Sequence, residues 1–106
     1  MKHFIVMIHY TSPMDEIDKV RPSHRVFLQS GYDAGLLLMS GPQCPRSAGI
    51  AVARASDLAE IVAFFKNDPY QVNNLASYEF LEFEPVICQP LIKQWINPKE
   101  SLRTIE

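Results

Sequence analysis

A histidine and a carboxylate sit where helical spacing calls for apolar side chains, in the stretches Arg21-Pro22-Ser23-His24 and Asn67-Asp68-Pro69-Tyr70. Val20, His24, Phe27, Leu28 and Gly31 fall at i, i+4, i+7, i+8 and i+11, one face of a helix, so His24 lies on the buried stripe. Gly31 on that stripe points to close packing or a cavity, because glycine within a helix costs about 0.5–1 kcal/mol relative to alanine. In a second helical stretch Leu58, Ile61, Val62 and Phe65 form a stripe that reaches Asp68 three residues on. A carboxylate at a helix C-terminus meets the unfavourable end of the dipole and needs a reason. One reason is structural: Asp68 can cap the next helical turn, with Pro69 at its first position, for about 1 kcal/mol. The other is chemical. Both helices cross one sheet face, so Asp68 can approach His24, fix its tautomer and stabilise its protonated form. A histidine so paired suits general acid–base work at neutral pH. The same pair can also be a core hydrogen bond with no chemistry.

Other side chains are weighed in the same way. Arg21 lies one turn before His24 and could bind an anionic substrate, or only pair with Glu16 or Asp18. Ser40, in Ser40-Gly41-Pro42, shares strand parity with Leu36 and Leu38, which turns its hydroxyl toward the helices. There it could bind substrate or orient a water, or simply end a strand; no G-x-S-x-G elbow surrounds it. His3 and His9 share parity on the first strand but are about 20 Å apart along it, so they cannot share one metal. Cys44 and Cys88 show no metal-type spacing and read as reduced thiols. No phosphate loop or dinucleotide fingerprint is present. No metal and no cofactor are expected.

The elements that must position these groups follow from the pattern. Phe4 to Tyr10 reads as a buried strand, broken by Ser12 and Pro13. A short helical piece from Met14 is followed by a main helix starting at Pro22 and stopped by Gly35. Strands over Leu36 to Gly41 and Gly49 to Arg54 form a hairpin with a loop longer than two residues. Ser56 caps the second helix, which ends where Asp68 precedes Pro69. After a short helical turn, Tyr78 to Ile87 is the fourth strand, interrupted near Pro85. The order strand–helix–strand–strand–helix–strand is the split βαβ, ferredoxin-like α+β arrangement: an antiparallel sheet with helices on one face. The bare face is most cheaply covered by a second copy, so a homodimer is expected.

A length of 106 residues fits one domain, here residues 1–88, with a tail over 89–106 that carries Trp95 and packs on the body or the partner. The chain is 47% hydrophobic and 21% charged, with net charge −2 and no basic block, which argues against nucleic acid. Met1 to Tyr10 is too short for a secretory signal, and nothing approaches a bilayer span, so a cytoplasmic protein with no membrane partner is expected.

These residues also resemble the YCII-related (YciI-like) family. The matching elements are the opening strand, Arg21-Pro22-Ser23-His24, Gly35 before a strand ending Ser40-Gly41-Pro42, Gly49, and Asp68-Pro69-Tyr70, in that order over roughly residues 2–87. The resemblance implies a dimeric α/β-barrel fold related to muconolactone isomerases. It also implies a His–Asp pair in a pocket, here His24 and Asp68, and lyase- or isomerase-like proton transfer on small ring compounds. The stretch after Pro42, Gln43 to Ala48, is more compact than the glycine-rich one common in the family. The expectation is therefore a small cofactor-independent enzyme, with His24 and Asp68 catalytic. Arg21, Ser40 and Tyr70 would hold a small cyclic or anionic ligand. The alternative is a non-catalytic ligand-binding or interaction module in which the pair is structural.

Overall fold

The computed structural model describes residues 1–98. Residues 99–106, the last part of the tail that the sequence reading places over 89–106, lie outside the described residues. The element order is β1 (Lys2–Tyr10), α1 (Met14–Asp33), β2 (Leu37–Pro42), β3 (Ala48–Ala55), α2 (Leu58–Phe65), α3 (Pro69–Val72) and β4 (Ala76–Phe83), followed by a 3-10 turn (Pro90–Ile92) and α4 (Lys93–Ile96). The four strands form one antiparallel sheet in the order β2-β3-β1-β4, which is the ferredoxin-like arrangement.

Strand alternation explains why the helices lie where they do. Phe4, Val6 and Ile8 of β1 are buried on one face, and their neighbours across the ladder to β3 are small: Ala53 beside Phe4, Ala51 beside Val6 and Gly49 beside Ile8. Small residues there let α1 and α2 approach closely. Ile17 and Leu28 of α1 and Ile61 and Phe65 of α2 close this core. The opposite face carries Ile5 between Val52 and Leu81, with Met39 beside Val52 and Phe83 beside His3. Leu81, Phe83 and Met39 remain exposed there.

At one end of that second face sits the tail. Arg54 donates from Nε to the Gly35 carbonyl at 2.8 Å and from Nη1 to the Trp95 carbonyl at 2.9 Å. Its guanidinium stacks 3.8 Å from the centre of the Trp95 ring. His3, beside Arg54 in the ladder, is buried and hydrogen-bonded to the backbone of Ile96.

Several boundaries differ from the sequence reading, each for a local reason. Pro22 does not divide the first helix, which runs unbroken for 20 residues. A proline forfeits one backbone bond, whereas this helix buries Ile17, His24, Leu28 and Gly31 along its whole length. The cap of α2 is Asp57, not Ser56: Asp57 Oδ1 accepts the Glu60 amide at 2.9 Å, and Glu60 Oε1 reaches back to the Ser56 amide at 2.7 Å. The last strand ends at Phe83 rather than Ile87. The stop at Gly35 stands as read. Gly35 takes φ 75°, and the Leu36 and Gly35 amides bond the Gly31 and Tyr32 carbonyls, a Schellman motif. Cys44 and Cys88 are both free thiols.

Candidate active site

Helix α1 presents Arg21, His24, Arg25 and Leu28 as a stripe at i, i+3, i+4 and i+7 along one side of a cavity of about 420 Å³. The end of β1 supplies Ile8 and Tyr10, the hairpin supplies Ser40, Pro42, Arg46 and Gly49, and α3 supplies Tyr70. The cavity thus opens at one end of the sheet, where α1, the β2–β3 hairpin and α3 meet.

Asp68 sits behind this wall with 0% of its surface exposed. Its Oδ1 lies 2.8 Å from His24 Nδ1 and accepts the Tyr70 amide at 3.1 Å; its Oδ2 accepts the Tyr78 hydroxyl at 2.6 Å. The capping role and the His24 contact coexist, because one carboxylate has lone pairs for all three donors. Because a carboxylate only accepts, this contact sets Nδ1 as the donor, so that in the neutral ring Nε2 keeps the lone pair, the tautomer suited to a base. The imidazole stacks on Tyr70, with centroids 4.0 Å apart and planes at 18°. Clamped between carboxylate and phenol, it is 9% exposed, and that exposed part belongs to the cavity wall.

The tyrosines around the pair are held neutral. Burial, with the fields of Tyr10 and Asp68, pushes the Tyr70 hydroxyl up to about 12. Burial raises Tyr10 as well, against the opposing pull of a hydrogen bond and charge from Arg46. Tyr78 is driven far upward by burial and by its bond to Asp68. At neutral pH all three are hydrogen-bond donors, not bases.

The residues singled out by sequence fall around this one cavity. His24 and Asp68 are in contact. Tyr70 packs on the imidazole, and Ser40 lies in the wall, 2.7 Å from the Tyr32 hydroxyl. Ser40 faces the helices, but the parity with Leu36 and Leu38 is not the reason. A bulge between Leu37 and Met39 shifts the register, so Ser40 shares its face with buried Leu37. Arg21 pairs with Asp18, one of the two partners considered for it, and its side chain also lines the cavity. Sequence reasoning missed Tyr78, Arg25 and Arg46. Arg25 had a usable signal, four residues after Arg21 on the same side of α1. Among the described residues no group of three His, Cys, Asp or Glu side chains is placed to hold a metal ion.

The sequence profile of the YCII-related domain matches residues 1–84. The chain belongs to this family. Like the expectation drawn from its motifs, this YCII-related chain has the ferredoxin-like sheet, and it buries a histidine against a carboxylate. No curated protein matches the chain. Among solved structures, it is similar to 5-chloro-2-hydroxyhydroquinone dehydrochlorinase (TftG) from Burkholderia phenoliruptrix AC1100, in complex with 2,5-dihydroxybenzoquinone. That similarity has a TM-score of 0.56 at 15% identity, over 76% of this chain and 90% of the other. At that identity the likeness is one of fold.

Proposed function

We propose that this protein is a small lyase- or isomerase-like enzyme that moves a proton on a cyclic, anionic metabolite through the His24–Asp68 pair. The observation that carries the reading is the 2.8 Å Nδ1–Oδ1 contact at the wall of an open cavity, which leaves Nε2 for a ligand. His24 Nε2 takes a proton from a ring carbon or hydroxyl. The freed electron pair forms a new double bond. In an elimination, a leaving group departs with its own bonding pair; in an isomerisation, the proton returns at another atom. Asp68 stabilises the imidazolium formed in between. Ser40 and Tyr70 donate hydrogen bonds to substrate oxygens, and Arg21 supplies positive charge. The dehydrochlorinase named above supports elimination as the reaction class, through a shared fold rather than shared residues.

The enzyme acts as a homodimer in this proposal. The second copy covers the sheet face that carries Ile5, Val52 and Leu81; the exposure of Met39, Leu81 and Phe83 on that face supports this reading. One observation favours the second reading, a binding module with a structural pair: Asp68 is already occupied as the cap of α3 and the acceptor of Tyr78.

The test is a panel of chlorinated and unsubstituted hydroxyhydroquinones, followed by chloride release and ring absorbance, with wild-type protein, His24→Gln and Asp68→Asn. A base lost or mis-set lowers turnover by about 10²–10⁴-fold. In parallel, NMR titration of His24 with the same rings reads occupancy. Ligand-dependent His24 shifts without turnover favour the binding module. A His24 that neither titrates nor responds to any ring overturns the enzyme reading and leaves the pair structural.

A further inference from the structure

Three arginines meet at the mouth of the cavity, and only one acidic side chain answers them. Arg21 and Arg46 both pair with Asp18, Arg46 at 3.0 Å. Arg25 forms no ion pair among the described residues. No carboxylate lines the cavity itself, and Asp68 is sealed behind His24. The mouth therefore carries surplus positive charge in a protein whose net charge is −2. This is a local concentration rather than a general bias. The guanidiniums come from two elements, α1 and the compact hairpin loop after Pro42. They share the cavity wall with the neutral donors Tyr10 and Tyr70, and the Arg46 charge acts on Tyr10. Planar forked donors above a pocket lined by Ile8, Leu28 and aromatic rings match a flat ligand with a carboxylate on its rim.

We propose that the pocket selects rings bearing a carboxylate, which Arg25 and Arg46 hold at the mouth while the ring lies against His24 and Tyr70. This rests on reading the cavity as a ligand site, and it deepens that reading by naming the group that is recognised. Asp18 acts as a built-in competitor. It occupies Arg46 and Arg21 in the free protein, and a ligand carboxylate takes over part of its place.

The test compares 2,5-dihydroxybenzoate with hydroquinone, the same ring without the carboxylate, by calorimetry and by His24 shifts at low and high salt. The wild-type protein is expected to prefer the carboxylated ring by about tenfold, the size of a charge-assisted contact, and salt is expected to shrink the preference. Arg25→Gln and Arg46→Gln each reduce the ratio of affinities toward one. Asp18→Asn raises it, a gain that damage to the fold does not produce. Equal affinity for the two rings, no binding of either, a preference that survives the Arg25/Arg46 double substitution, or an unchanged ratio in Asp18→Asn overturns the proposal. The ratio is an equilibrium quantity, so it can hold while the dyad proves inert. Turnover that depends on His24 without any carboxylate preference sinks this inference alone.

Discussion

Three donors converge on the Asp68 carboxylate, and removing each has a different consequence. The Tyr70 amide fixes the start of α3, His24 carries the chemistry proposed for the site, and Tyr78 satisfies the outer oxygen. Tyr78→Phe leaves Oδ2 buried without its partner, at a cost of about 1–3 kcal/mol. Its effect should also reach His24. A carboxylate that loses one donor holds the imidazole more tightly, which changes the NMR shifts of the His24 ring, measured alongside the urea midpoint. Unchanged ring shifts would show that Tyr78 serves packing only. At this scale the site was partly legible. His24 and Asp68 interrupt apolar stripes, and an interrupted stripe is a signal that sequence carries. Arg25 and Arg46 interrupt nothing. Helical spacing could have joined Arg25 to Arg21, but nothing in the sequence tells Arg46 at the rim of a pocket from an arginine in open solvent. Tyr78 was hidden for a related reason: an aromatic on a strand is ordinary, and its hydroxyl partner lies on another element.

The elements hold that geometry through close approach. Gly31 lets α1 press against Phe64 and Leu37; a β-carbon there would meet Phe64 Cζ at 2.6 Å and two Leu37 side-chain carbons at 2.8 and 2.9 Å. Alanine is the better helix former by about 1 kcal/mol, but the contacts lie within a packed core, where overpacking costs about 1–3 kcal/mol. Gly31→Ala is therefore expected to lower the urea midpoint; a rise would mean that Phe64 and Leu37 yield freely. The place of Gly31 on the stripe left close packing and a cavity both open, and the contacts with Phe64 and Leu37 decide for close packing. The split of the first helix at Pro22 went wrong because local rules price one lost bond and do not see four buried positions on one continuous face. Ser40 shows the converse. Strand parity gave the right face for a wrong reason, since a bulge lies between Ser40 and the residues it was counted from.

At the scale of the whole molecule two expectations concern surfaces and solution conditions. If the bare sheet face is a dimer interface, Val52→Lys puts a charge at its centre and sedimentation should show the mass halving; an unchanged mass places any association elsewhere. The second concerns pH. Burial, opposed by the Ile96 carbonyl and aided by the positive charges of the N-terminus and Arg54, lowers the His3 pKa below 6.5. The unfolded chain then binds more protons between that lowered value and 6.5. The stability contributed by neutral His3 is complete above pH 6.5 and is lost as pH falls through the folded value. His3→Gln should flatten the decline of the urea midpoint between pH 7 and 5. At the alkaline end Tyr70, raised to about 12, acts oppositely: its contribution is complete below pH 10 and disappears as pH rises toward 12.

The single indole of the chain stands apart from the core, stacked on Arg54 by way of the tail. Its Nε1 is buried without a hydrogen-bond partner among the described residues. Intrinsic emission therefore reports the seat of residues 90–98 on the sheet end, while ellipticity reports the sheet itself. Coincident melts by the two signals would mean that tail and body are one cooperative unit. An emission change at lower denaturant would instead separate tail release from unfolding, without adding any label.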